Sequence, residues 1–238
     1  MENNTQARKK RFIIILSIII ILFLIYFIMF QSPIFKLKNI EVDGNKNLSY
    51  NDIISLTGIY KGMYIFKINS FEIKKRLLLN SFIKDADIEI KYPSSIIIKV
   101  EERKLVAQIP YNTNYIYIDD EGVAVKENEY DSKLPIINGI KIKKYEIGKK
   151  IDGIFDNNDM AKLLKIIYNK DIYKNITVID KNNLMIKTKT GINIAFNNVN
   201  DVAYSIKFSE LILNDLEKKG YDKGTIQISK NNNPVFLP

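Results

Sequence analysis

The sequence predicts a single N-terminal transmembrane helix plus an α+β ectodomain in two parts, a β-α-α-β-β module followed by a β-rich domain with two helices. Three observations predict it. An uncharged run from Phe12 to Phe30, with Ser17 as its polar interruption, matches the roughly 20 residues that span a bilayer core as a helix. Strand and helix start signals then alternate as far as Glu102. Beyond Arg103 the pattern turns to short alternating stretches, with two amphipathic segments set among them.

The anchor divides the chain into a tail of residues 1–11, a span of residues 12–30 and an ectodomain. A cleaved signal peptide is the competing reading, but its apolar region is usually only about 7–15 residues long and ends at a small-residue site. Gln31-Ser32-Pro33-Ile34-Phe35 carries no such site. Arg8, Lys9, Lys10 and Arg11 abut the run on its N-terminal side, and the first cation beyond it is Lys36. The positive-inside rule therefore predicts a single-pass protein with a cytoplasmic N-terminus and an extracellular C-terminus. The run contains no Gly, so a close-packing G-x-x-x-G face is absent and the helix is read as an anchor.

Composition excludes several classes of function. The formal charge of +9 includes the topogenic cluster, and the remaining lysines are scattered among carboxylates. A nucleic-acid binder concentrates its cations on one face with aromatics interleaved, so no nucleic acid is expected as a partner. Cys and His are both absent. Disulfides, Cys/His zinc sites, Cys nucleophiles and His bases are therefore unavailable, and no metal or cofactor is expected. The 14 tyrosines suit core or protein contacts.

The first module covers residues 34–102. Leu37-Lys38-Asn39-Ile40-Glu41-Val42 predicts a strand with Leu37 and Asn39 on one face and Ile40 and Val42 on the other, ended by Asp43-Gly44-Asn45. Ser49-Tyr50-Asn51-Asp52 has the form of a capping box, Ile53, Ile54 and Leu56 supply an apolar stripe, and Gly58 is a C-terminal cap. Asn69-Ser70-Phe71-Glu72 starts a second helix running to about Asn80, with Ile73, Leu77 and Leu78 on one face. Phe82 to Lys91 and Ile96 to Glu101 flank the turn Tyr92-Pro93-Ser94 and predict a hairpin. Two helices on one face of a small sheet make a two-layer domain.

The second domain covers residues 103–229. Tyr115-Ile116-Tyr117-Ile118 alternates, Asp120-Glu121-Gly122 turns and Val123-Ala124-Val125 returns. A helix is predicted from about Asn157 to Asn169 on Met160, Leu163, Ile166 and Ile167. A longer one runs from about Asp201 to Lys219 on Val202, Ile206, Leu213 and Leu216, ending at Gly220. Leu184–Lys189 and Ile192–Phe196 form strands joined at Gly191. The sequence closes on a strand, Gly224-Thr225-Ile226-Gln227-Ile228-Ser229, read as an edge, and a C-terminal tail of residues 230–238.

Specific peptides in this order resemble the FtsQ/DivIB family of bacterial cell-division proteins, most nearly the DivIB type of low-GC Gram-positive bacteria. They are Phe35-Lys36-Leu37-Lys38-Asn39-Ile40-Glu41-Val42-Asp43-Gly44-Asn45, Leu56-Thr57-Gly58, Gly62-Met63-Tyr64-Ile65-Phe66 and Tyr92 to Arg103 in a POTRA-like module. Tyr117 to Gly122, Leu134-Pro135-Ile136-Ile137-Asn138-Gly139 and Gly224 to Ile228 follow in the β domain. The resemblance implies a non-catalytic divisome scaffold, enriched at the division septum. It binds the single-pass proteins FtsL and DivIC (FtsB in other bacteria) and acts with the septal peptidoglycan synthase complex. It further implies that a partner segment adds to the last strand, here Thr225, Ile226, Gln227, Ile228 and Ser229. The competing view is that Ile226 and Ile228 only fill the core. A POTRA-like module also occurs in export systems, but that role needs a following barrel of at least about eight amphipathic strands.

An alternative is a membrane-anchored extracytoplasmic cell-wall enzyme of the Ser/Lys or carboxylate type. Ser81-Phe82-Ile83-Lys84 and Lys189-Thr190-Gly191 have the letters of a penicillin-binding enzyme. However, Ser49-Tyr50-Asn51 precedes Ser81 instead of following it, and Lys189-Thr190-Gly191 reads as a hairpin turn. Glu101/Glu102 and Asp119/Asp120 could serve as a hydrolase pair, yet adjacent residues on a strand face opposite ways.

Overall fold

The computed structural model describes residues 2–151, 158–168, 170–180, 183–197, 202–229 and 234–238. The chain divides into two compact units, Met1–Glu102 and Arg103–Pro238. Helix α1 (Glu2–Gln31) opens the first. Its apolar stretch Arg8–Ile28, 21 residues, rises about 31 Å and so matches a hydrocarbon core of about 30 Å. Its described apolar side chains are exposed all round, as a lipid-facing helix requires.

After a 3-10 turn at Pro33–Phe35, strand β1 (Asn39–Asp43) is followed by α2 (Tyr50–Thr57), α3 (Ser70–Leu77), β2 (Ile83–Lys91) and β3 (Ser95–Glu102). The start of α2 is fixed by a reciprocal cap. The Ser49 hydroxyl accepts from the Asp52 amide at 3.2 Å, and the Asp52 carboxylate accepts from the Ser49 amide at 2.9 Å. Gly58 ends it in the left-handed conformation, and the Asn69 side chain caps α3 by accepting from Phe71 and Glu72.

The strands lie in the order β1-β3-β2, with β1 parallel and β2 antiparallel to β3 across a cis Tyr92-Pro93 bond. Ile96, Ile98 and Val100 pack with Ile53, Ile65, Ile73 and Leu77 in one core.

Two expectations fail here. Strand β1 does not reach back to Leu37, whose amide and carbonyl bond Met63 and Gly62 instead. The alternation is thereby broken, so that Leu37, Ile40 and Val42 all serve the same core. Helix α3 stops at Leu77 and not near Asn80. Leu78 sits about 100° round the helix from Leu77 and is exposed, while the Asn80 side chain turns the chain into β2 by accepting from Phe82 at 3.0 Å.

The second unit is a nine-stranded sheet carrying two helices. Its strands are β4 (Leu105–Tyr111), β5 (Asn114–Asp119), β6 (Ala124–Asn128), β7 (Ile136–Asn138), β8 (Tyr173–Val178), β9 (Asn183–Thr188), β10 (Asn193–Asn197), β11 (Thr225–Ile228) and β12 (Pro234–Leu237). They run in the order β12-β11-β10-β9-β8-β7-β4-β5-β6. Helix α4 (Asn158–Ile167) buries Leu163 and Leu164, and α5 (Val202–Lys218) buries Ile206, Leu213 and Leu216, all in one core with Ile116, Ile176, Ile186 and Ile194. The predicted helix limits Asn157, Asn169 and Asp201 lie outside the described residues, as do the side chains of Met160, Ile167 and Val202.

Strands β4 and β8 escape sequence alternation through their pairing with other segments. In β4 the amide of Gln108 is fully buried, donating to the Leu134 carbonyl at 2.8 Å and to the Asp131 carbonyl, and accepting from the Asp131 amide. A polar residue therefore occupies an interior position, held by the 131–134 segment. In β8 the register shifts between Tyr173 and Asn175, which breaks its period of two.

Two adjacent residues at the junction of the units are latched into their own units. Glu102, at the end of β3, accepts from the amides of Lys46, Asn47 and Leu48 and from the Asn47 side chain, at 2.7 to 3.0 Å. Burial alone would raise its pKa, but these four donors outweigh burial and lower it. The group therefore stabilises the fold above the ordinary glutamate pKa, and that contribution is lost as pH falls through its folded value.

Glu102→Gln places an amide donor against backbone donors. It is expected to cost about 2–3 kcal/mol of stability at pH 7. In urea denaturation the gap between the native protein and the variant should narrow as pH drops below about 4.5.

Candidate partner-binding edge

The last strands are built from the inside outward. Ile226 and Ile228 are fully buried and point into the core, while Thr225 and Gln227 alternate to the outer face, with Gln227 exposed. Both long sides of β11 are occupied. On one, residues 193–196 of β10 pair in parallel with residues 225–228; on the other, residues 234–237 of β12 pair antiparallel with them. The expectation that Thr225–Ser229 forms the sheet edge is thus overturned, because Pro234–Leu237 of the supposed tail is itself the ninth strand. Residues 230–233 of that tail lie outside the described residues.

The edge is β12. Phe236 turns inward against the core cluster and meets Tyr221 edge-on at 5.3 Å. Val235 and Leu237 turn outward, 56% and 48% exposed. Their register neighbours on β11 are Gln227 and Thr225, so the four side chains form a small mixed patch along the edge. Backbone room for β12 comes from Gly224, which has φ +126; a Cβ there would lie 2.6 Å from the Phe236 ring and 2.8 Å from the Leu237 carbonyl oxygen.

The other described sheet edges are guarded. Strand β2 carries Lys84, Asp85, Asp87, Glu89 and Lys91 and a bulge after Ile83, and β1 carries Glu41 and Asp43. Strand β6 carries Lys126 and Glu127, and its start is covered by the 148–150 segment, where Gly148 donates to Ala124 and Ala124 to Lys149. Charges, bulges and covering segments of this kind prevent edge pairing. Strand β12 has no charged residue.

The groups singled out for catalysis are placed as follows. Ser81 lies in the turn before β2 and Lys84 on β2, both in the first unit, whereas Lys189-Thr190-Gly191 forms the β9–β10 turn of the second, with Lys189 paired to Asp171. Glu102 is occupied by its four donors. Asp119 is fully buried, accepting from the amides of Glu121 and Val123 and from the Arg103 guanidinium at 2.6 Å. Among the described residues no three carboxylates converge as a metal site would need.

Two shallow clefts of about 290 and 260 Å³ flank Leu134 and are lined in part by Lys174, Lys189 and Tyr173, and by Lys133 and Asp171. The Tyr173 hydroxyl is committed to Glu210, and burial followed by that carboxylate raises its pKa.

Comparison with known proteins adds to this geometry. The family description "POTRA domain, FtsQ-type" matches residues 35–103. Cell division protein DivIB of Clostridium tetani is 30% identical over 216 residues, spanning 87% of this chain and 81% of the relative. Cell division protein DivIB of Clostridium acetobutylicum is 30% identical over 227 residues, 86% of this chain and 83% of the relative. Cell division protein FtsQ of Rickettsia bellii is 34% identical over 94 residues, 40% of this chain and 35% of the relative.

Gly224→Ala tests the packing of the edge. It is expected to cost about 1–3 kcal/mol, because a left-handed backbone position acquires a side chain with nowhere to go. Amide exchange at residues 235–237 should accelerate more than exchange in β4 and β5.

Proposed function

This chain belongs to the DivIB/FtsQ family of cell-division proteins, and we propose that within division it acts as a non-catalytic scaffold whose β12 edge receives a strand from a partner. The observation that carries this reading is the contrast between β12, uncharged and exposed, and the guarded edges of β1, β2 and β6. An added strand would pair with the outward backbone groups of β12, and its side chains would meet Val235 and Leu237, with Gln227 and Thr225 one strand further in. Thr225 to Ser229 then act mainly as the rail on which the edge is laid, with Ile226 and Ile228 fixing its height above the core.

The partners proposed are FtsL and DivIC/FtsB-type single-pass proteins, together with the septal peptidoglycan synthase complex. The membrane helix and the Arg8–Arg11 cluster support a cytoplasmic N-terminus and an ectodomain outside, concentrated at the septum. The cell-wall enzyme alternative has less to stand on. Its Ser/Lys motif and its K-T-G are divided between two units, and Glu102 and Asp119 are engaged in structure.

Val235→Lys and Leu237→Lys change exposed side chains and should move stability by no more than about 0.5 kcal/mol. Together they are expected to weaken capture of the FtsL and DivIC-type pair at least tenfold in a pull-down with the full-length protein. Undiminished capture by a folded double variant would reject the edge. A fluorescent fusion in dividing cells should give a septal band, and a uniform peripheral signal would reject the division-site assignment.

A further inference from the structure

The first unit has an end that none of the preceding features uses, the one where the chain leaves the membrane helix. The Ser32 amide still donates to the Ile28 carbonyl, and the 3-10 turn Pro33–Phe35 follows at once. Through the end of the helix and this turn, Lys36 lies within roughly 15 Å of the end of the apolar run at Phe30. The polar headgroup layer is itself about 5–8 Å deep. Whatever surrounds Lys36 in the folded module is consequently within reach of that layer.

The fold brings three separate segments to this place. Lys36 bridges Tyr64, Leu37 bonds Met63 and Gly62, and Lys38 and Asn39 bond Ser94 at the tip of the β2–β3 hairpin. Phe35 packs on Phe66 at 5.0 Å, and Phe66 stacks on Tyr92 at 5.6 Å. Lys36 and Lys67 both lie over the Tyr64 ring. At this end Ile34, Tyr60 and Tyr92 are each more than half exposed. Lys38, Lys61 and Lys67 are exposed among them, and Lys91 is held by Glu89. Glu41 and Asp43 lie further along β1, away from this end.

Exposed aromatics interleaved with lysines are the composition that settles at a bilayer interface. The amphipathic rings sit at headgroup depth, and the ammonium groups meet lipid phosphates. We infer that this end of the module docks on the anionic lipid headgroups around its own anchor, so that the first unit is seated on the bilayer instead of swinging on a tether. The inference rests on α1 spanning the membrane. The lipid is identified by chemistry alone, as a negatively charged bilayer surface. Continuity with the anchor and complementary charge single out that occupant.

The sequence contains no Trp, so one introduced Trp is a unique fluorophore. The test uses the full-length protein in nanodiscs of phosphatidylcholine with or without phosphatidylglycerol, carrying a nitroxide at the headgroup. Tyr92→Trp should be strongly quenched in phosphatidylglycerol discs. Leu79→Trp, beyond the opposite end of α3, should not be. Changing Lys36, Lys61 and Lys67 to Gln in the Tyr92→Trp background should lower the ratio of docked to undocked protein roughly fivefold per lysine, and only in phosphatidylglycerol discs.

Equal quenching at both positions, or quenching at position 92 indifferent to lipid charge and to the lysines, would overturn the docking and leave a simple tether. Protection of position 92 only on adding division partners, in either lipid, would also overturn it and assign the surface to protein. Phe23→Trp with an acyl-chain nitroxide keeps the two readings apart. Quenching there with none at position 92 defeats docking alone, whereas no quenching there defeats the membrane span and docking with it.

Discussion

A strand's backbone amides and carbonyls must be paired, and the architecture of this chain follows from where that demand is met and where it is left open. In a water-exposed protein an unmet edge is an invitation to another strand. The small sheet closes its edges with Glu41, Asp43 and the charged run of β2, and the large sheet closes one end with Lys126, Glu127 and the 148–150 segment. The demand remains open at β12, which gives the nine-stranded sheet a direction. Its last strand is where unpaired backbone groups remain.

Without Cys or His, fixed loops have to be made by other means, and buried carboxylates supply them. Glu102 gathers the 46–48 loop and so sets the entry to α2, where Ser49 and Asp52 complete the cap. Asp119 closes the β5–β6 turn and holds Arg103. Glu102 and Arg103 are neighbours in sequence, so each unit is latched at its own boundary residue. Glu102 and Asp119, each of which could pass for a catalytic carboxylate in a linear reading, are in space engaged hydrogen-bond acceptors.

The same economy joins the membrane to the first module. An apolar helix leaves its side chains to lipid, and the chain then reaches a surface of aromatics and lysines within a few residues.

The sequence by itself determined the elements whose causes are local. The span follows from an uncharged run, α2 from the Ser49–Asp52 box and Gly58, α3 from Asn69, and the hairpins from turns at Tyr92-Pro93, Asp120-Glu121-Gly122 and Gly191. The family was legible as well, through the order of its peptides. Only the tertiary structure decided what depends on distant partners. Strand β4 tolerates a buried Gln108 because the 131–134 segment satisfies it. Strand β8 hides its alternation in a bulge, and β12 is a strand only because Gly224 lets Phe236 reach the core beside Tyr221. That last contact moved the candidate edge from Thr225–Ser229 to Pro234–Leu237. A four-residue strand after an Asn-rich stretch carries no local signal, and its pairing energy lies wholly in the neighbour it meets.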